Sequence, residues 1–370
     1  MKAVTIGSAM IDIITIVRNA DIERVTMTNA TTSFLLLEQG RKIEAESITM
    51  HVGGGAVNTA VSLRRLGYEA KAVVKVGRDL NADKVRERLQ AENVGTDFVL
   101  ETPEAATGTA VMVSSHDRNA TIFTHRGANR MLRERDIRPE IFAGADLVYV
   151  TALSDDSADQ FPRILRMARE AGAFVTTNPG IRQLTSRTQT FLDCLPHVDL
   201  LTINRVEAAA LVPALAANPA SREGLPRIEV QGDMPELLRL GLSFGGFDMG
   251  LARFLATMRK LGPRHVLVTD GTGGAYLADD EGIHHCPVLK VRVAGTAGAG
   301  DSFASTFAGM MAAGERAELA LRAATVNAAS VVSFIDTQTG LLPRTDLVAR
   351  AAAFTDKLPV RLFPWVTPVE

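Results

Sequence analysis

The sequence predicts an α/β protein built on a mostly parallel sheet with helices on both faces. Three observations carry this. Between residues 147 and 334, short β-branched runs alternate with longer helical stretches, as in a sheet whose strands are joined by crossover helices. Hydrophobic residues make up 46% of the 370-residue chain and charged residues 22%, enough to bury a large core. Aromatics supply only 5%, so Ala and Gly carry much of the apolar content, which implies close packing of helices on the sheet. A chain of this length fits two or three domains, or one large α/β unit with an appendage.

Residues 4–6 and 11–17 are β-branched and read as strands. Asp12 interrupts the apolar run and no small-residue cleavage site follows, so this segment is a buried first strand and not a signal peptide. Residues 21–50 turn polar and Thr-rich without a helical period, an appendage to the core. Gly53, Gly54 and Gly55 open a helix over 58–66, closed by Gly67. A strand over 72–76 and a helix over 83–92 follow, then strands over 108–115 and 120–125 joined by a polar turn at 117–119. The later alternation places strands at 147–151, 174–178, 200–203 and 266–269. Helices fall at 160–171 and 188–194, and another begins at Glu207. Residues 275–278 and 288–293 read as two more strands, and 301–313 and 317–334 as Ala-rich helices. No repeat of fixed period is present. Residues 213–246, with four prolines and five glycines, fit no regular element. An ordered insertion, an oligomer contact and a mobile flap all fit that composition.

Lys and Arg total 40 against 42 Asp and Glu, so the chain carries no electrostatic footprint for nucleic acid or an anionic membrane. The two cysteines, Cys194 and Cys286, have neither disulfide nor zinc spacing. No run is long and uncharged enough to span a membrane. A reducing cytoplasm is the expected compartment.

The strongest chemical signal is Gly295-Thr296-Ala297-Gly298-Ala299-Gly300-Asp301, followed by a long Ala-rich helix. Small residues let the backbone approach an anion, and a helix start presents free N–H groups to it. A carboxylate at that helix start suits proton abstraction from an attacking hydroxyl better than it suits phosphate binding. The bland alternative is a helix capped by Asp after a flexible turn. Gly53-Gly54-Gly55-Ala56-Val57-Asn58 also precedes a helix. Asn204-Arg205-Val206-Glu207 follows a strand, where α/β sheets place their sites, and Thr269-Asp270-Gly271-Thr272-Gly273-Gly274 follows another. Asn and Glu at this spacing also make an ordinary capping box.

In this order the four motifs resemble those of the PfkB family of carbohydrate kinases: its N-terminal glycine signature, NxxE, TxGxxG and its C-terminal GAGD signature. The resemblance covers nearly the whole chain except 213–246 and the last dozen residues. It implies a ribokinase-like three-layer sandwich with a mostly parallel central sheet and a small β-sheet lid. Residues 1–14, 52–105 and 126–370 would form the main domain, and 15–51 and 106–125 the lid. It implies ATP-dependent phosphotransfer to a sugar hydroxymethyl group, with Asp301 as base and Gly298, Ala299 and Gly300 as anion hole. Asn204 and Glu207 would organise Mg²⁺ and the ATP phosphates, Glu207 through water. Thr269, Gly271, Gly274 and Asn327 would line the ATP side. Asp12, Gly54, Gly55 and Asn58 would hold the acceptor. The lid would exclude water and form a homodimer contact.

Gly295 stands where the family signature carries Asp, an acid that helps bind K⁺ in ribokinase-like members, so any monovalent cation here would be held by carbonyls. Gly55 replaces a Lys of the ribokinase cluster, which argues against ribose itself. Arg126 reads as a surface or hinge residue. Arg182 lies near a point where some family members carry an Arg that reaches a phosphate, though at a different spacing. His51 reads as a packing residue. A nucleoside kinase of the same family is the second reading. The lid offers Phe34 and Phe123 but no Trp or Tyr for base stacking, which favours a sugar. A silent sugar- or nucleotide-binding regulator and an NAD-dependent oxidoreductase are the more distant alternatives.

Overall fold

A computed structural model describes residues 1–17, 23–26, 33–36, 40, 42–114, 120–221, 224–229 and 232–366. Its centre is a ten-stranded sheet. From one edge the strands are Arg361–Pro364, Gly282–Cys286, Ala275–Ala278, His265–Thr269, Leu200–Asn204, Phe174–Asn178, Leu147–Thr151, Lys2–Gly7, Glu69–Gly77 and Val99–Thr102. The seven from His265–Thr269 onward are parallel, and the first three are added antiparallel. The parallel strands are apolar on both faces because both are covered. Val4, Ile6, Val148 and Val150 face one core, while Ala3, Leu147 and Tyr149 face the other. The helices Phe161–Glu170, Arg205–Ala217 and Leu251–Lys260 close the first core. Gly55–Arg65, Leu80–Ala91, Ala299–Ala312 and Ala317–Val331 close the second.

The helix pair that carries the glycine motifs packs unusually close. A Cβ at Gly309 would lie 2.8 Å from Leu63 Cδ2, and the Tyr68 hydroxyl donates to the Gly309 carbonyl at 2.6 Å. Ser305 Oγ donates to Ser62 Oγ at 2.7 Å across the same interface. A larger residue at Gly309 would cost about 1–3 kcal/mol of overpacking and would push the two motifs apart.

A second, four-stranded sheet stands off the first: Ala45–Gly53, Met10–Val17, Gly108–Ser114 and Ala120–His125. Asp12 therefore belongs to the small sheet and not to the end of the first main-sheet strand. The small sheet begins at Met10 and ends its return strand at Gly53, so it takes in residues that the motif boundaries assign to the main domain. A hairpin pairs Glu23–Thr26 with Ser33–Leu36. The expected turn at 117–119 lies outside the described residues, as does much of the 21–50 appendage.

Two expectations need correction: that 288–293 form a strand and that 213–246 hold no regular element. Residues 288–293 are not a strand; the partner of Ala275–Ala278 is Gly282–Cys286, and Pro287 ends it. Pro213 lies inside the helix Arg205–Ala217, which buried Leu211, Val212 and Leu215 hold on the core despite the lost hydrogen bond. The described part of 213–246 is ordered. It contains the helix Glu236–Leu240 and the hairpin Leu242–Phe244/Phe247–Met249, and Arg361 binds Asp233.

Candidate active site

The glycine cluster works by close approach. Gly54 holds φ at +96°, and a Cβ there would sit 2.6 Å from the Ser8 carbonyl. Gly55 packs where a Cβ would meet Thr151 Oγ1 at 2.9 Å, and its N–H binds Ser8 Oγ at 3.0 Å. At Gly53 a Cβ would collide with Asp12 Oδ2, so this glycine makes room for the carboxylate. The helix that follows carries Asn58, which is 4% exposed. Its Nδ2 donates to Asp301 Oδ2 at 2.8 Å. Residues 243 positions apart are thereby joined.

Asn58 is itself held in one orientation. Its Oδ1 accepts from Thr337 Oγ1 at 2.9 Å and from Gln338 Nε2 at 3.0 Å. Gln338 also donates to the Val52 carbonyl and accepts from Arg88 Nε at 2.8 Å. Arg88 and Arg65 share Glu92. With its oxygen committed to two donors, the Asn58 amide must turn its NH₂ toward Asp301. Sequence reading missed Thr337 and Gln338. They follow the helix Ala317–Val331 in a segment with no motif, inside the polar run Asp336-Thr337-Gln338-Thr339.

Asp301 lies in the first turn of the helix Ala299–Ala312. Gly298 caps that helix at φ +77°, and a Cβ on it would come within 2.7 Å of Thr337 Cβ. Gly300 faces open space. First-turn amides have no partner within their helix; the Ala299 N–H donates to the Thr296 carbonyl at 3.4 Å, which leaves Gly300 and Asp301 as the backbone donors of this turn. Burial pushes the Asp301 carboxyl up, against the pull of the Asn58 hydrogen bond. Asp12 is 6% exposed, and burial, reinforced by the Asp301 charge, pushes it up to about 6. The two carboxylates thus face one space.

On the other side of the cleft, Asn204 and Thr269 are register partners at the C-terminal ends of adjacent parallel strands. Asn204 Oδ1 accepts from the Glu207 N–H at 3.0 Å, and Glu207 Oε2 accepts from the Asn204 N–H at 2.9 Å. This is a complete capping box. Burial nevertheless pushes the Glu207 carboxyl up to about 7, outweighing both Asn204 hydrogen bonds. Gly271 (φ +49°) and Gly274 (φ +88°) shape the neighbouring turn, where a Cβ on Gly274 would strike the Cys286 carbonyl. Arg205 reaches Asp270 at 3.4 Å and ties the two loops together. The buried Tyr149 hydroxyl is raised well above its usual range by burial, then by the charges of Asp301 and Glu207. Those two acids therefore overlook the same strip of sheet.

Asn327 is not brought to the site. It is 1% exposed, donates to Thr306 Oγ1 and accepts from the Leu342 N–H, so its amide is spent joining two helices and a loop. Gly295 has the Phe334 and Ile335 carbonyls 3.4 Å from its would-be Cβ. His51 pairs with Asp12 across the small sheet.

Among the described residues no three acidic, His or Cys side chains cluster as metal ligands. No helix among the described residues is long and apolar enough to cross a membrane.

Comparison with known proteins matches residues 2–225 and 249–344 to a family described as pfkB family carbohydrate kinase. The unmatched gap coincides with the ordered insertion. Ribokinase of Staphylococcus aureus is 23% identical over 74% of this chain and 81% of its own. Fructokinase of Klebsiella pneumoniae is 28% identical over 71% of this chain and 78% of its own. Among solved structures, a putative ribokinase II of E. coli in complex with ATP and Mg²⁺ superposes with TM-score 0.71 at 16% identity, covering 95% of this chain and 99% of that one. A nucleoside kinase of Burkholderia thailandensis in complex with inosine gives 0.70 at 16%, covering 96% and 100%.

Proposed function

This chain belongs to the pfkB family of carbohydrate kinases, and from that premise we propose that it transfers the γ-phosphoryl group of ATP to a hydroxymethyl group of a sugar. The observation that carries this reading is the Asn58–Asp301 hydrogen bond, which sets the one acid at the GAGD helix start against the glycine cluster and opposite Asp12.

Asp301 takes the proton of the acceptor hydroxyl as its oxygen attacks the γ-phosphorus. The bond to the bridging oxygen breaks and ADP leaves. A carboxylate raised by burial is a stronger base than a solvated one, which suits it to a poorly acidic alcohol. The amides of the Gly298–Gly300 turn would meet the charge on the transferred group, that of Ala299 on leaving the Thr296 carbonyl, and donors already placed at a helix start need little reorganisation. Asp12, with Asn58 behind it, accepts hydrogen bonds from neighbouring sugar hydroxyls; a substrate lacking one leaves a buried carboxylate unpaired. Thr269, Gly271 and Gly274 shape the ATP side. Glu207, with Asn204, would hold Mg²⁺ through water, and the bound ion neutralises phosphate charge. With Gly295 in place of the signature Asp, a monovalent cation would be held by carbonyls, and those of Phe334 and Ile335 lie nearest to this glycine.

A sugar fits better than a nucleoside. Phe123 shares a cross-strand row with Val111 and Ile13, on the face of the small sheet opposite Asp12, so it is turned away from the acceptor. The side chain of Phe34 lies outside the described residues. The same outer face exposes Ile48 (66%), Met50 (48%) and Phe123 (60%), an apolar surface suited to a second copy of the chain.

The test is ADP release with MgATP across sugars, sugar acids, sugar phosphates and nucleosides, with Asp301→Asn in parallel. Turnover on a sugar, lowered roughly 10²–10⁴-fold in the variant, is expected. Turnover confined to nucleosides, or a variant as active as the parent, would refute the reading.

A further inference from the structure

Gln338 sits where the supports of the two acids meet. It is 2% exposed, and every polar atom of its side chain is used. An amide nitrogen offers two N–H donors. One goes to the Val52 carbonyl of the small-sheet strand Ala45–Gly53 at 2.9 Å, the other to Asn58 Oδ1 at 3.0 Å. The amide oxygen accepts from Arg88 Nε at 2.8 Å, and Arg88 is itself anchored on Glu92 at 2.8 Å. The backbone is pinned as well. The Gln338 N–H donates to Asp336 Oδ1 at 2.9 Å, and the Gln338 carbonyl accepts from Arg65 Nη1 at 2.9 Å. On one side Gln338 borders a cavity of about 530 Å³, lined also by His51, Lys84, Glu87 and Asp336. Hydrogen bonds, more than close packing, therefore fix this side chain.

The two N–H bonds end on different parts of the molecule. Val52 pairs with Ile11 in the small sheet, one residue from Asp12. Asn58 belongs to the helix Gly55–Arg65, which packs on the main sheet, and it donates to Asp301 Oδ2 at 2.8 Å. A single buried amide thus holds the strand beside the acceptor-side acid and the partner of the base. The separation of Asp12 from Asp301 passes through it.

We infer that Gln338 is a positioning residue for phosphoryl transfer: it sets the small sheet, and with it Asp12, in register with the base that Asn58 holds. Resting on the sugar-kinase reading, this role adds the group that aligns the acceptor hydroxyl with Asp301. Alignment of this kind is worth a great deal, since a misplacement of about 1 Å costs roughly 100-fold in rate.

Two substitutions separate positioning from simple support. Gln338→Glu keeps the side-chain length and the acceptor for Arg88 but loses both donors. Its carboxylate, ion-paired with Arg88, draws the Asn58 NH₂ to itself and turns Asn58 Oδ1 toward Asp301. Gln338→Met loses all three side-chain bonds, yet leaves Asn58 Oδ1 on Thr337. Steady-state kinetics and thermal melts are run on both, on the sugar the parent turns over. We expect kcat per folded enzyme to fall at least tenfold in Gln338→Met and further in Gln338→Glu, while the melting point falls more in Gln338→Met. The Asn58 hydrogen bond pulls the Asp301 carboxyl down. Its loss moves the acid limb of the kcat profile to higher pH in Gln338→Glu, by about half a unit or more. The other titratable groups here are Asp12 and Tyr149 facing Asp301, and Arg88, Asp336 and His51 around Gln338; both variants keep them. If Gln338→Met does not fold, Gln338→Glu carries the test alone through its rate and its acid limb. A Gln338→Glu rate within twofold of the parent, or losses that follow the melting point with an unmoved acid limb, overturns the positioning role and leaves the kinase reading standing. Turnover confined to nucleosides overturns the sugar reading, and the same comparison on that acceptor decides Gln338. Silence of the parent on every acceptor overturns both.

Discussion

The two walls of the cleft are built on opposite principles. The wall proposed for the acceptor is made of side chains in fixed relation: buried Asp12 and Asn58 and half-buried Asp301, with Thr337 and Gln338 behind them. The wall proposed for the nucleotide is made of backbone turns. Asn204 and Glu207 are spent on each other in a cap, and the 270–274 turn closes on its own carbonyls. The acceptor wall stores free energy in two carboxylates that burial and proximity keep partly unfavourable when charged. The nucleotide wall holds one such acid, Glu207, which burial pushes up to about 7 against its two Asn204 hydrogen bonds. The contrast predicts that substitutions on the first wall disturb two neighbouring acids and their hydrogen-bonded support together, whereas those on the second act through one capped acid and local loop order.

The sharpest break falls where the walls meet, at Gly298. Its φ of +77° and the 2.7 Å approach of a would-be Cβ to Thr337 leave no room for a side chain. Gly298→Val must move either the helix start or the 337–338 segment, and so misaims both the anion-hole amides and Asn58. A loss of roughly 10²–10³ in kcat is expected, the scale of removing one such donor. Gly300→Ala is the control: its Cβ meets nothing within 4 Å and its φ needs no glycine. Thermal melts should show Gly300→Ala folding like the parent while KM for ATP rises, because the added methyl occupies space reserved for phosphate. Equal kcat in Gly298→Val and the parent would show that the helix start is not the anion hole.

Asp12→Asn probes the stored charge. Asp12 titrates near 3.8 in the unfolded chain and near about 6 in the folded one. The folded state therefore holds the extra proton between those values, and the stability of the parent falls as pH rises from about 4 to about 6. Above that window the penalty stays near 3 kcal/mol, from roughly two pKa units at about 1.4 kcal/mol each. Asp12→Asn should be more stable than the parent by up to about that amount at pH 7 and no more stable at pH 4, by urea denaturation. Because the variant loses the carboxylate proposed to accept from the sugar hydroxyls, it should also show a higher KM for the sugar. A stability gap independent of pH would remove the charge argument.

How much of this was legible follows the same division. The parallel strands announce themselves as β-branched runs, and the helix starts carry local signals: GAGD, Asn204-x-x-Glu207 and the glycine cluster. Propensity failed where it met no partner. Residues 288–293 have the better β composition, yet Val288 and Val291 remain 37% and 39% exposed, and the less promising Gly282–Cys286 takes the ladder because the turn at Asp279–Gly282 delivers it there. The buried network around Asn58 was invisible because Thr337 and Gln338 acquire meaning only through a contact some 280 residues away. Asn327 misled in the opposite direction: its place on a late helix matched a binding position, whereas its amide bridges Thr306 and Leu342.

The smallest effect is expected on the nucleotide wall, and it is the one that decides whether the Asn204–Glu207 pair is only a cap. Asn204→Ala removes the acceptor for the Glu207 N–H and should cost about 1 kcal/mol, the usual value for such a cap, with a melting shift of a few degrees at most. If the pair also orders Mg²⁺ and phosphate, freeing Glu207 from its partner raises KM for MgATP several-fold more than it lowers kcat, and raising total Mg²⁺ restores part of the loss. Steady-state kinetics at two Mg²⁺ concentrations read both quantities. A melting shift with unchanged KM for MgATP would confine the pair to holding the helix start, and the nucleotide wall would then recognise its ligand through backbone alone.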